Sequence, residues 1–194
     1  MERRNFIKTG IIGLGAMAIA DKAMALEYYP KKSDKKWAVI YSTWCGSSRD
    51  AGVWISEGLG GIADVFDVRE KPDPKNYDNV VVGGSIRSFK VSPELQSYLE
   101  KNKDVLKDKI RGFFCVCGNM KKPTGPEQVK QYIDDHLSRI TGVTGVPKKV
   151  FNGRITISLL EDQYKESMGS FGEYDYMKRT DFLEFGNTIL ASVK

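Results

Sequence analysis

Histidine, cysteine and long apolar runs are scarce in this sequence. Its 194 residues include one histidine and three cysteines, Cys45, Cys115 and Cys117. Zinc and iron–sulfur sites need several such ligands at short, regular spacings, so the sequence predicts no metal site. The apolar run at residues 9–20 is also shorter than the roughly 18 to 20 residues that a membrane-spanning helix needs.

The first 25 residues carry the features of an export signal. Arg3 and Arg4 precede Phe6, a modestly apolar segment rich in glycine and alanine follows, and residues 23–25 read Ala-Met-Ala. This pattern resembles a twin-arginine signal with an A-x-A cleavage site. It predicts recognition by the export machinery and a location in the periplasm or on the outer face of the cytoplasmic membrane. Retention of the leader as an uncleaved anchor is the alternative.

One domain is expected after a short linker. Residues 26–36 contain a proline and a lysine cluster without an apolar period, which is typical of an extended tether. Residues 37–194 have the length of a single domain. The chain is 41% hydrophobic and has a formal net charge of +5, a mildly basic balance that suits an anionic partner or a membrane face but is also ordinary for a soluble protein.

Strand and helix patterns alternate along this domain. Strands are predicted at residues 37–42, 63–68, 79–85, 112–118 and 149–160, the last interrupted by Gly153. Helices are predicted at residues 49–59, 93–109, 125–141 and 181–192, with Ser48 and Ser92 as N-caps of the first two. The alternation predicts an α/β fold, a five-stranded parallel sheet with helices on both faces.

A loop rich in hydroxyl groups follows the first predicted strand. It reads Ser42-Thr43-Trp44-Cys45-Gly46-Ser47-Ser48 and leads directly into a helix. Hydroxyl groups, backbone N–H groups turned inward around a glycine and a helix N-terminus together favour a phosphate group. The loop lacks the lysine of a nucleoside-triphosphate site and the G-x-G-x-x-G of a dinucleotide fold. It predicts a phosphorylated cofactor, with an ordinary serine-rich turn as the alternative.

Two more loops are expected at the same edge, because ligands bind beyond the carboxyl ends of parallel strands. The third strand ends in Gly83-Gly84-Ser85-Ile86-Arg87, where the glycine pair would let the backbone approach a flat ligand. The fourth strand ends in Gly118-Asn119. These two loops could hold an aromatic ring from both sides.

The motif S-T-x-x-G-x-S at residues 42–48, followed by Y-D-x-V-V-V-G-G-S-I-R at residues 77–87, resembles the flavodoxin family. Residues 76–87 are most similar to its menaquinone-linked protoporphyrinogen oxidase branch. The resemblance implies a flavodoxin-like three-layer sandwich that binds FMN non-covalently. The residues that it implies for the FMN phosphate are Ser42, Thr43, Gly46, Ser47 and Ser48, with Cys45 in the same loop. Those implied for the isoalloxazine ring are Ser85, Ile86, Arg87, Gly118 and Asn119, with Trp44 over the ribityl chain or the dimethylbenzene edge.

Three functions are compatible with this reading. The first is an electron-transfer protein that serves a redox partner protein or a membrane quinone. The second is a flavin-dependent oxidase or quinone reductase related to the protoporphyrinogen oxidase branch. The third is a flavin-free binding module on a flavodoxin fold. No nucleic-acid partner is expected.

Several side chains in these segments have two possible roles. Arg87 is either a solvated loop residue or a cation facing the flavin N1–C2=O edge. Cys115 and Cys117 either pack as small buried groups or, for Cys117, form a redox-sensitive pair with Cys45. The aromatic residues before the last helix either anchor a long loop or form a lid or docking surface; they are Tyr164, Phe171, Tyr174 and Tyr176.

Overall fold

The computed structural model describes residues 30–118, 124–170 and 172–193. The predicted signal at residues 1–25, the beginning of the linker and Asn119 lie outside these ranges. Within them, no helix combines the length and the apolar character needed to cross a membrane.

A five-stranded parallel sheet forms the centre of the domain. Its strands are β1 (Trp37–Ser42), β2 (Ala63–Asp67), β3 (Asn79–Ile86), β4 (Ile110–Cys117) and β5 (Lys148–Asn152). They are hydrogen-bonded in the order β2-β1-β3-β4-β5. The strand order reverses between β1 and β3, which places a ligand crevice beyond the carboxyl ends of these two strands.

Helices cover both faces of the sheet, so the predicted three-layer flavodoxin-like fold is confirmed. They are α1 (Ser47–Gly58), α2 (Pro93–Leu106), α3 and α5 (Arg179–Ser192), whereas α4 (Asp162–Gly169) has no buried residue and belongs to neither core cluster of the sheet. Helix α3 begins as an α-helix at Pro126–Val129, continues as a π-helix over Lys130–Ser138 and ends at Arg139–Thr141. Side chains of α1 and α5 share one core cluster, whereas those of α2 and α3 share the other.

Side chains of β1 point alternately to the two faces of the sheet, so this strand contributes to the core on both sides. Ala38 and Ile40 belong to the cluster under α2 and α3, and Val39 and Tyr41 belong to the cluster under α1 and α5. Because successive side chains of a strand point to opposite faces, a strand covered on both faces is apolar throughout. All six residues of β1 are buried.

The fifth predicted strand is too long. β5 ends at Asn152, and the chain leaves the sheet at Gly153. The next residues form a separate antiparallel ribbon in which β6 (Arg154–Ile155) pairs with β7 (Tyr174–Asp175). A Cβ atom on Gly153 would lie 2.9 Å from the carbonyl oxygen of Cys117, so only glycine allows this close approach to the end of β4. Residues 153–177, here called the strap, include α4 and lead towards α5.

Candidate functional site

The loop between β1 and α1 turns at Gly46. This glycine has a φ of 89° and is the residue before the helix, which begins at Ser47. The N–H group of Gly46 donates to Thr43 Oγ1 over 3.0 Å. The prediction of Ser48 as the N-cap is therefore wrong, because the left-handed glycine starts the helix two residues earlier and places Ser48 inside its first turn.

Buried donors without partners are concentrated around this loop. In the part of the chain that the structure describes, four such atoms lie on the loop or on the residue that covers it: Ser42 Oγ, Trp44 Nε1, Ser48 Oγ and Arg154 Nε. Ser48 is fully buried and Ser42 is 3% exposed. Buried polar groups are normally hydrogen-bonded, so this concentration marks a place where an acceptor belongs.

The strap covers the loop from outside the sheet. Ser47 Oγ donates to the carbonyl oxygen of Arg154 over 2.7 Å, and Cys45 Sγ donates to the same oxygen over 3.4 Å. Cys45 also packs in a small apolar cluster with Ile155 and Leu160 of the strap. The first part of the strap therefore closes one side of the loop.

Arg154 ties the strap to helix α1. Its Nη2 lies 2.5 Å from Asp50 Oδ2, and its Nη1 lies 3.6 Å from Asp175 Oδ2. Burial lowers the pKa of the Arg154 guanidinium, but the hydrogen bond and charge of Asp50 outweigh it, and the pKa lies above its ordinary value. Arg154 is therefore a permanent cation at the N-terminal end of α1.

Two adjoining cavities open at the carboxyl edge of the sheet. The first has a volume of about 560 Å³ and includes Ser42, Thr43, Trp44, Ser85 and Arg87 in its wall. The second has a volume of about 470 Å³ and includes Trp44, Cys45, Ser47, Ser85, Ile86, Arg87 and Gly118. The structure thus brings together most of the described residues that the sequence indicated, while Gly46 and Ser48 lie in the loop behind them.

Arg87 separates the two cavities. Its guanidinium carbon lies 4.5 Å from the ring centre of Trp44 and 3.7 Å from that of Tyr164 on the strap. The two rings contact each other edge to face at 5.4 Å. Arg87 is therefore neither freely solvated nor paired with an acid among the described residues; it lies against an edge-to-face pair of aromatic rings, a favourable arrangement for a cation.

The two glycines of β3 lie close to atoms of the neighbouring strands. A Cβ atom on Gly83 would overlap the carbonyl oxygen and ring of Phe114, and one on Gly84 would overlap Ser42 Oγ. Both glycines are therefore required by the packing of β3 against its neighbours. At the end of β4, a Cβ atom on Gly118 would lie 2.5 Å from the hydroxyl oxygen of Tyr174, so the strap lies against this glycine as well.

The three cysteines are free and buried. Cys45 and Cys117 both line the second cavity, but no disulfide joins them. Cys117 forms a hydrogen bond with Tyr132, which lowers the pKa of its thiol by less than burial raises it. Burial also raises the pKa of Cys115, so both thiols stay protonated at neutral pH.

Sequence reasoning missed Asp50, Tyr132 and Arg154. Tyr132 lies in the π-helical part of α3 and lines the second cavity. Arg154 follows Gly153, where the interruption of the strand pattern was visible. No local sequence pattern indicates that Arg154 contacts the loop after β1. Of the four aromatic residues before the last helix, Tyr164 and Tyr174 contact the site, whereas Phe171 lies outside the described residues.

The profile of the flavodoxin domain matches residues 38–169. The chain belongs to the flavodoxin domain family. Among curated proteins, it is similar to protoporphyrinogen IX dehydrogenase [quinone] of Escherichia coli K12, with 31% identity over 93 residues. The match covers 45% of this chain and 51% of that protein. This flavodoxin domain thus spans about half the length of the curated relatives that it matches.

Solved structures with the same fold have little sequence in common with this flavodoxin domain. The flavodoxin 1 of Bacillus cereus has 14% identity and a TM-score of 0.50, with 82% of this chain and 99% of that chain covered. Rubredoxin:oxygen oxidoreductase of Desulfovibrio gigas has 12% identity and a TM-score of 0.53, with 81% and 36% covered. These likenesses show the fold.

Proposed function

We propose that this flavodoxin domain binds FMN non-covalently and transfers electrons. The observation that carries the proposal is the set of buried, unpartnered donors around the loop between β1 and α1. Three of them, on Ser42, Trp44 and Ser48, lie in the loop that matches the family motif for a flavin phosphate. A phosphate accepts several hydrogen bonds at once, so it fits a site that offers hydroxyl, indole and backbone donors at a helix N-terminus.

The described residues fit the rest of FMN in the same way. Ser85, Ile86 and Gly118 line the second cavity, which we propose as the place of the isoalloxazine ring, and Trp44 and Arg87 line both cavities. The flavin supplies the one- and two-electron chemistry when bound. The protein's residues hold the phosphate, exclude water through the strap and set the charge around the ring through Arg87.

The first test is the visible absorption spectrum of the purified protein. We expect a yellow protein with the visible absorption bands of a bound flavin, from which acid releases FMN and not FAD or riboflavin. Protein purified without flavin should regain the bands when FMN is added. A colourless protein that takes up no FMN would contradict the proposal.

The menaquinone-linked oxidase branch is a less favoured alternative. The similarity to the E. coli enzyme covers about half of either chain, and the strap carries five acidic side chains at positions 161, 162, 166, 173 and 175. We propose a redox partner protein or a membrane quinone as the exchange partner. Rapid oxidation of protoporphyrinogen by the purified protein would favour the enzyme instead.

We also propose that the protein is exported through the twin-arginine route, on the basis of Arg3, Arg4 and the apolar segment after them. This route carries folded proteins, so a flavin bound in the cytoplasm would travel inside the protein. Full-length protein expressed in a bacterium should appear in the periplasmic fraction. Replacing both arginines by lysine should retain it in the cytoplasm with its flavin bound. An unchanged distribution would contradict the export proposal.

A further inference from the structure

The loop proposed to hold a phosphate has a carboxylate beside it. Asp50 lies in the first turn of α1, the same helix end that faces the phosphate in the proposed function. A carboxylate stabilises a helix N-terminus. It also repels a phosphate dianion placed at that terminus, because like charges a few ångströms apart repel strongly where water is excluded.

Arg154 of the strap supplies the opposite charge at this point. Its side chain and that of Asp50 are 21% and 22% exposed, and their atoms meet at 2.5 Å. Arg49 also contacts Asp50 at 3.1 Å, but its side chain is 58% exposed, so solvent screens its charge more. Arg154 is therefore the main partly buried cation facing Asp50.

The remaining polar groups of Arg154 point to the same region. Its carbonyl oxygen accepts from Ser47 and Cys45 in the loop, and its Nε is buried without a partner. Its side chain also lines the second cavity. Arg154 thus contacts the loop through its backbone and the helix through its guanidinium. Neither family motif includes this residue, which comes from the strap.

We infer that Arg154 is a specificity-determining residue for phosphorylated flavin, because it cancels the charge of Asp50 at the mouth of the phosphate loop. The inference rests on the proposed FMN site. It predicts that Arg154 contributes more to the binding of FMN than to the binding of riboflavin. FMN and riboflavin, which share the ring and the ribityl chain and differ by the phosphate, separate these two contributions.

The test compares Arg154→Met, Asp50→Asn and the double variant by fluorescence titration with FMN and riboflavin. Arg154→Met should weaken FMN binding about tenfold or more, since one unit charge acts on a dianion nearby, and should weaken riboflavin binding by a clearly smaller factor, because riboflavin carries no phosphate. The double variant should regain FMN affinity, because the repelling carboxylate is gone. Arg154→Lys, which keeps the charge, should bind FMN nearly as the original protein does.

Each result has a distinct meaning. A double variant that binds FMN as weakly as Arg154→Met overturns the inference, since the loss would then not come from Asp50. Equal losses for FMN and riboflavin in Arg154→Met also overturn it, because they would report a displaced strap. If the unsubstituted protein binds FMN no more tightly than riboflavin, the phosphate site itself fails. Thermal unfolding without flavin verifies that each variant is folded.

Discussion

Replacing Ser42 and Ser48 together by alanine is expected to weaken FMN binding by about 10² to 10⁴, since a hydrogen bond to a charged group contributes about 1.5 to 3 kcal/mol. Both hydroxyl groups are buried and have no partner in the described structure. The same substitutions should leave the stability of the flavin-free protein unchanged or slightly raised, because removing a buried, unpartnered hydroxyl removes its desolvation penalty. The affinity for FMN would thus fall without a loss of stability.

The control for this double variant is Ser138→Ala. Ser138 Oγ is also buried and unpartnered, but it lies at the end of the π-helical part of α3, away from the loop. Its removal should not change FMN affinity. Affinity is measured by titration of flavin-free protein and stability by urea unfolding. FMN binding by the double variant as tight as that of the original protein would show that these hydroxyl groups do not hold the phosphate.

Gly83→Ala is expected to destabilise the fold by about 3 kcal/mol or more, at the upper end of the cost of overpacking a core. Phe114 of β4 is the residue that pairs with Gly83. The new methyl group would overlap both the carbonyl oxygen and the ring of Phe114. A backbone oxygen in the middle of a parallel sheet cannot move without breaking the pairing of β3 with β4. Urea unfolding should show a lower midpoint or a protein that no longer folds.

Gly112→Ala is the matched comparison for Gly83→Ala. It adds the same methyl group to the neighbouring strand β4, where the nearest atom is Cδ1 of Ile189 at 2.6 Å. A flexible side chain end can rotate away, so the loss should be clearly smaller. Equal losses of stability in the two variants would mean that the overlap with the backbone of Phe114 does not determine the cost of Gly83→Ala.

The sheet was predictable because its signal is local. The apolar run of β1 and the valine run of β3 indicate strands buried on both faces, and Ser92 accepts from the N–H group of Leu95 as a predicted N-cap should. The start of α1 was predicted wrongly because glycine and serine are both common at the N-cap position. The sequence therefore does not show that Gly46, and not Ser48, is the N-cap.

The position of the strap over the site could not be predicted from local sequence signals. Arg154-Ile155-Thr156-Ile157 alternates as a strand does, so its pattern continued β5, whereas the approach of Gly153 to the carbonyl of Cys117 ends that strand. The partners of Arg154 depend on contacts between distant parts of the chain. The contact of Arg87 with both Trp44 and Tyr164 depends on the same folding back of the strap.

The bond from Ser47 to Arg154 has a consequence for the order of events during synthesis. The two residues are 107 positions apart, and at about 5 to 20 residues per second the ribosome needs roughly 5 to 20 s to make the chain between them. During that interval the N-terminal half presents its loop without the segment that completes it. We therefore expect a flavin to bind only after residue 154 has been made, because the hydrogen bond that closes the site joins residues 107 positions apart.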